Sequence, residues 1–304
     1  MFENKAEQIR NGNRVKIEGI LSEIDLKEAT YLKNGSNVDC VRGKINVRVN
    51  QTLPSGEEQE LEIPVHFFAN KITNAGKENP AYTSIVKVKN EFKSIAAVGI
   101  EDADRIRITG ATIGMNDYPA NGRIVSYPRI NASFVNKIRK EDCSPQATFD
   151  VIFVVKNSGF ETDNDGIENP DRYKISGIVP RYGGKVDVID FLATNKNVID
   201  SVSNYWEVGS TVHAIGRLNF TSRTEVVHKE LDFGEPQDTV RTFSVSELII
   251  TGGAATPLEG DAAYDISDIQ KALAERQADL EKKKESVNTA KKVDKVNMFE
   301  KLGF

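Results

Sequence analysis

The sequence predicts a mainly β protein: two small tandem barrels of one design, then a C-terminal helix and a flexible tail. Three observations carry that prediction. Apolar and polar residues alternate with period 2 at intervals along residues 14–251, one helical stretch interrupts the strands at the same place in each half, and the segments flanking that helix echo each other between halves.

In Val41-Arg42-Gly43-Lys44-Ile45-Asn46-Val47-Arg48-Val49 the odd positions are apolar or small and the even ones polar and mostly basic, so one face packs while the other is cationic. Similar alternation marks residues 14–21 (Val15, Ile17, Leu21), 61–67 (Leu61, Ile63, Val65, Phe67) and 105–108 (Ile106, Ile108); a fifth strand is expected over 123–135. Between the third and fourth strands Tyr82, Ile85, Val88 and Phe92 recur at roughly helical spacing. The order strand, strand, strand, helix, strand, strand is that of the OB-fold, a five-stranded barrel.

The second half repeats the plan, with strands over 149–155, 173–179, 186–192, 211–220 and 239–250 and a helix over 195–206. Val65-His66-Phe67-Phe68-Ala69-Asn70-Lys71 resembles Ile189-Asp190-Phe191-Leu192-Ala193-Thr194-Asn195-Lys196, and the strand Ile106–Ile113 resembles Val212–Asn219, each with a glycine that permits the bend a small barrel needs. The expected division is 1–140 for the first barrel, 141–252 for the second and 253–304 for a linker, a helix and a tail. The linker follows from Gly252-Gly253 through Gly260, and the helix from the strong helix formers after Asp265. Ile266, Ile269, Leu273, Ala274 and Leu280 sit near one face of that helix and its other face is charged, so it is expected to dock only loosely.

Net charge is -5, but its distribution matters more than its sum: residues 1–140 carry about +4, residues 141–252 about -8 and the remainder about -1. Neither a secretory signal nor an apolar run of membrane-spanning length occurs, so an intracellular, cytoplasmic protein without membrane partners is expected. The two cysteines, Cys40 and Cys143, and the three histidines show no metal-ligand spacing, and no cofactor is expected. No phosphate-cradling loop, nucleophile elbow or Cys beside a His base is present, which argues against an enzyme. Asp163 and Asp165 resemble part of a calcium loop, but its last position is wrongly filled and a solvated loop is the plainer reading.

Residues 105–140 carry the functional signal. Arg105, Arg107, Arg123, Arg129, Lys137, Arg139 and Lys140 stand against one acid, Asp117, and Tyr118, Tyr127 and Phe134 are interleaved among them. Single-strand binders need this mixture, because cations track phosphates while flat rings stack on any base. Asn116–Gly122 is expected to form the hairpin between the last two strands, with Asn121-Gly122 as the turn and Tyr118 at its tip. Tyr118 and Tyr127 are candidate stackers, the alternative being that Tyr118 caps the barrel end; Phe134 is either a stacker or core. Arg42, Lys44, Arg48 and an outward Phe68 offer a second stretch of the same groove, the alternative being a solvated strand face. In the second half, Tyr182 in a Gly-rich hairpin and Arg217 on the fourth strand are candidate contacts, whereas Tyr205 and Trp206 read as core.

Gly-Ala-Thr-Ile-Gly-Met-Asn-Asp-Tyr from Gly110, Ser-Tyr-Pro-Arg-Ile-Asn-Ala-Ser-Phe from Ser126 and Ser-Glu-Leu-Ile-Ile-Thr-Gly-Gly from Ser246, set in the duplicated pattern, resemble the tandem OB-fold single-stranded DNA-binding proteins of bacteriophages and related mobile elements. The resemblance spans most of the first 252 residues and implies a non-enzymatic partner of single-stranded DNA in replication or recombination, with a bacterial host cell as its setting. Bacterial proteins of that kind end in an acidic tip closing on Pro-Phe that recruits other replication and repair proteins. Here Phe299, Leu302 and Phe304 are similar, although Gly303 replaces the proline and Lys301 interrupts the acidic run. A structural or protein-interaction scaffold, with the barrels serving protein contacts, is the alternative.

Overall fold

A computed structural model describes the backbone of residues 5–301 other than 54, 121–122, 164 and 230–236, and the side chains of these residues outside 222–243 and 286–301. A short helix α1 (Ala6–Asn11) leads into β1 (Asn13–Lys33), β2 (Ser36–Thr52) and β3 (Glu58–Asn70), an antiparallel meander. Helices α2 (Pro80–Glu91) and α3 (Ile95–Val98) precede β4 (Arg105–Ala120) and β5 (Arg123–Ala132). β5 runs parallel to β3, β4 pairs with β5, and β4 returns to β1, closing the ring β1-β2-β3-β5-β4. That closed order, with its helix after the third strand, is an OB-fold barrel. α2 starts where Asn79 accepts the backbone N–H of Ala81, and it buries Ile85 and Val88 against the barrel.

After β6 (Asn136–Ile138), the second barrel repeats the ring as β7 (Gln146–Thr162), β8 (Glu168–Arg181), β9 (Lys185–Ala193), β11 (Gln237–Gly253) and β10 (Thr211–Lys229), with α4 (Lys196–Tyr205) after its third strand. The core of this barrel is aromatic: Phe153 stacks on Phe191 with ring centres 4.6 Å apart, and Trp206 meets Phe153 edge-on. Trp206 is core as expected and donates its indole N–H to the Ala254 carbonyl, whereas Tyr205 is more than half exposed.

Two glycines make the bends. Gly110 adopts a φ of 75°, which side-chain-bearing residues rarely take, where the β1–β4 register slips between Val15 and Ile17. At Gly216, beside a second slip, a Cβ would lie 2.1 Å from the Ile249 carbonyl oxygen and 2.3 Å from the Phe149 ring.

The two rings are joined strand to strand. β1 pairs with β7 from Asn13 opposite Val151 to Glu18 opposite Gln146, with Val15, Ile17, Ala147, Phe149 and Val151 all buried, so one hydrophobic cluster spans both halves.

The C-terminal helix α5 (Ile266–Lys301) departs from the expectation of loose docking. Ile269 and Ala272 are buried with Tyr264 against Val154, Ile178 and Val186, and Leu273 packs alongside; Ala274 and Ile266 face solvent. One turn on, Arg276 enters a polar pocket between the barrels. Its guanidinium reaches Asp117 at 2.8 Å and Asp187 at 2.9 Å, and the two carboxylates are 7% and 1% exposed. Charge, invisible as a docking device in a helical wheel, anchors this helix. Among the described residues no helix is long and apolar enough to cross a membrane.

Candidate nucleic-acid interface

Register decides which side chains share a face. Leu61, Ile63, Val65 and Phe67 on β3 and Ile45, Val47 and Val49 on β2 point inward, so Arg42, Lys44, His66 and Phe68 lie outside, Arg42 opposite Phe68 and Lys44 opposite His66. The row continues across the barrel, His66 pairing with Asn131 of β5 and Asn131 with Thr112 of β4. Because Ile130 is buried, the alternate residues Arg123, Tyr127, Arg129 and Asn131 project to that same outer side, and the β4–β5 ladder places Tyr118 with them.

Four strands thus bring Arg42, Lys44, Arg123 and Arg129 onto one surface with Phe68, Tyr118 and Tyr127. Among the described residues none of these four cations is ion-paired to an acid. The three rings are exposed, Phe68 by 54% and the tyrosines by about 40%. Tyr118 and Tyr127 meet edge-on with centres 5.9 Å apart, and Phe68 lies 6.0 Å from the ring of Tyr31. Tyr31 is a ring that sequence reasoning missed, since β1 shows no clean alternation where it sits.

The electrostatics of the surface are unbalanced. Arg129 has a buried Nε without a hydrogen-bond partner, and burial lowers its pKa below the ordinary arginine value. His66 is pushed down to about 4, first by burial and then by the charges of Arg129 and Lys44. A polyanion laid here would supply the counter-charge that the protein does not. In the free protein His66 is neutral at pH 7, while an unfolded chain protonates it below about 6.5. Its contribution to stability is therefore complete above about 6.5 and is lost as pH falls towards about 4. Phosphates held at this face would raise the His66 pKa, measurable by NMR titration of its ring proton with and without oligo-dT; an unchanged value would mean that no phosphate sits beside it.

Three other candidates, Arg48, Arg105 and Arg107, are engaged by the protein itself. Arg48 lies 3.7 Å from both Glu60 and Glu62. Arg105 donates to the carbonyls of Ile100, Glu101 and Ala103, closing the turn before β4. Arg107 pairs at 2.8 Å with Glu18, which is 1% exposed. Burial would raise the Glu18 pKa, but bonds from Arg107, the Ser144 N–H and Lys16 bring it below the usual value. Phe134 stands half exposed just beyond β5. Tyr182 is 92% exposed at the β8–β9 turn, and Arg217 on β10 has a buried, unpartnered Nε. Leu302 and Phe304, and the side chain of Phe299, lie outside the described residues. The Asp163 carboxylate is occupied in its own turn, accepting the N–H groups of Asp165 and Ile167.

The hairpin expected at Asn116–Gly122 is a ribbon paired as far as Ala120 opposite Arg123, which leaves the expected turn at 121–122, outside the described residues. Tyr118 thus stands on a strand and not at a tip. The ribbon is held from behind: Met115 donates its N–H to Asp187, and the Arg276 bridge secures Asp117. These contacts hold the strand that carries Tyr118 in place from the side of the second barrel and α5.

Two solved structures share similarity with this chain, a deletion mutant and the wild-type form of the single-stranded DNA binding protein from Thermus aquaticus. Both are 11% identical, with TM-scores of 0.49 and 0.48; each alignment covers 82% of this chain, and respectively 95% and 94% of theirs. No curated protein matches the sequence. A family model named YorF matches residues 11–286, which take in both barrels, the linker and the docked part of α5, so the chain belongs to the YorF family.

Proposed function

We propose that this protein binds single-stranded DNA with little sequence preference and without catalysis. The observation that carries this reading is the outer face of the first barrel, where four cations that have no acidic partner among the described residues share a surface with three exposed rings. Phosphates meet Arg42, Lys44, Arg123 and Arg129, and bases stack on Phe68, Tyr118 and Tyr127. Stacking ignores base identity, so the strand is held whatever its sequence. Backbone contact alone would not exclude a duplex; rings presented to unpaired bases do.

In this role the protein coats or protects single strands during replication or recombination in the cytoplasm of a bacterial host, the setting that its resemblance to phage and mobile-element proteins suggests. Residues 1–140 act as the principal binder, the more acidic 141–252 as a supporting unit, and the tail with Phe299, Leu302 and Phe304 as the recruiter of replication or recombination proteins. Equilibrium titration with oligo-dT and with duplex of equal length tests the proposal. Preference for the single strand by tenfold or more is expected; equal or absent binding overturns it.

A further inference from the structure

The surface row that crosses the first barrel does not stop at its edge. Thr112, which ends the row from Lys44 through His66 and Asn131, also lines a groove of about 730 Å³ between the barrels. Other lining residues include Arg10, Arg14, Lys16 and Thr148. Asn13 welds the two strands beneath it, its amide both donating to the carbonyl of Ile113 and accepting the Ile113 N–H. Arg14 therefore comes next to Thr112 on the outside, because Val15, opposite Ala111, is buried.

Beyond β1 the sheet enters the second barrel without a break. Lys16 stands opposite Thr148 of β7, and Thr148 opposite Arg217 of β10; in the adjacent row Arg14 stands opposite Asp150, and Asp150 opposite Ile215. Their inward neighbours Val15, Ile17, Phe149 and Leu218 are buried, so these residues line the outside together. The one acid among them, Asp150, is already bonded to His213 at 2.8 Å. Arg10 forms no ion pair among the described residues, Arg14 bonds only the neutral Asn11 side chain, and Arg217 has its buried Nε without a partner. Lys16 is 3.1 Å from Glu18, but that carboxylate is shared with Arg107.

We infer that this groove is a second phosphate-binding stretch, which carries a single DNA strand from the first barrel across Thr112 onto the near edge of the second. The inference rests on the single-strand binding proposed above and extends it. It gives the acidic second barrel a basic entry, and it makes the occupied length of strand greater than one barrel face.

The test uses the full chain, with Arg14→Ala/Lys16→Ala as one variant and Arg10→Glu as another, after checking that thermal unfolding matches wild type. Arg10→Glu alters an exposed side chain on α1 and keeps the test alive if the double variant misfolds. Affinity for two oligo-dT lengths is compared, about 8 and about 24 nucleotides, chosen because one OB-fold covers about 4–16. The expected result is a roughly tenfold or greater loss for the longer strand and a salt slope shallower by about 0.7 per lost phosphate contact, with little change for the shorter. Variants that bind the long strand like wild type overturn the groove alone. Equal loss on both lengths also overturns it as an extension, since the groove would then belong to the primary site. If wild type binds neither length, the single-strand function itself fails.

Discussion

Arg276→Ala is expected to destabilise the protein by about 3–5 kcal/mol, because it strips the shared cation from two buried carboxylates. Asp187 keeps the guanidinium of Arg181 at 2.9 Å, but Asp117 is left with the hydroxyl of Ser126. The cheapest relief is for α5 to lift away and admit water, so its release should precede global unfolding in denaturant. Hydrogen exchange would see this as lost protection over residues 266–285. Neutralising the carboxylates as well, with Asp117→Asn and Asp187→Asn, should recover part of the loss, since the penalty is an uncompensated charge more than a lost contact. A stability change below about 1 kcal/mol for Arg276→Ala would mean that the carboxylates find other partners.

The second large effect concerns ligand binding. Tyr118→Ala/Tyr127→Ala is expected to weaken oligo-dT binding by about 30-fold or more, from about 1–3 kcal/mol for each of the two stacked bases, while leaving the salt slope unchanged. Lys44→Ala/Arg129→Ala should do the converse, weakening binding to every sequence alike and lowering the slope by about 0.7 for each phosphate released. The contrast separates stacking from charge on a surface that carries both. If the tyrosine variant changes the slope and the cation variant does not, these roles are wrongly divided.

The topology was legible because strands advertise their inward face. Alternation over residues 41–49 named the buried side of β2 correctly, and the echo across each helix placed the third and fourth strands of both barrels in equivalent positions. The lengths were not legible. β1 runs on to Lys33 and β4 to Ala120, beyond where alternation fades, because pairing with β2 and β5 sustains strands whose outer faces both meet solvent.

The surface was half legible. Basic residues and rings are countable in a sequence, but whether a cation is free depends on partners far along the chain. Arg107 is claimed by Glu18, 89 residues upstream, and Arg105 by three carbonyls of its own turn, whereas Arg129 meets no acid among the described residues. The same blindness hid the anchoring of α5, whose Arg276 finds Asp117 159 residues away.

The central claim, that the outer face of the first barrel holds single-stranded DNA, is tested most directly by the salt dependence of oligo-dT binding with duplex as competitor. With the four cations Arg42, Lys44, Arg123 and Arg129 each meeting a phosphate, log K should fall against log salt with a slope near -3, about 0.7 per contact, and steeper where the groove is also filled. Duplex should compete at least tenfold less well. No binding to oligo-dT at low salt, or competition by duplex on equal terms, would contradict it.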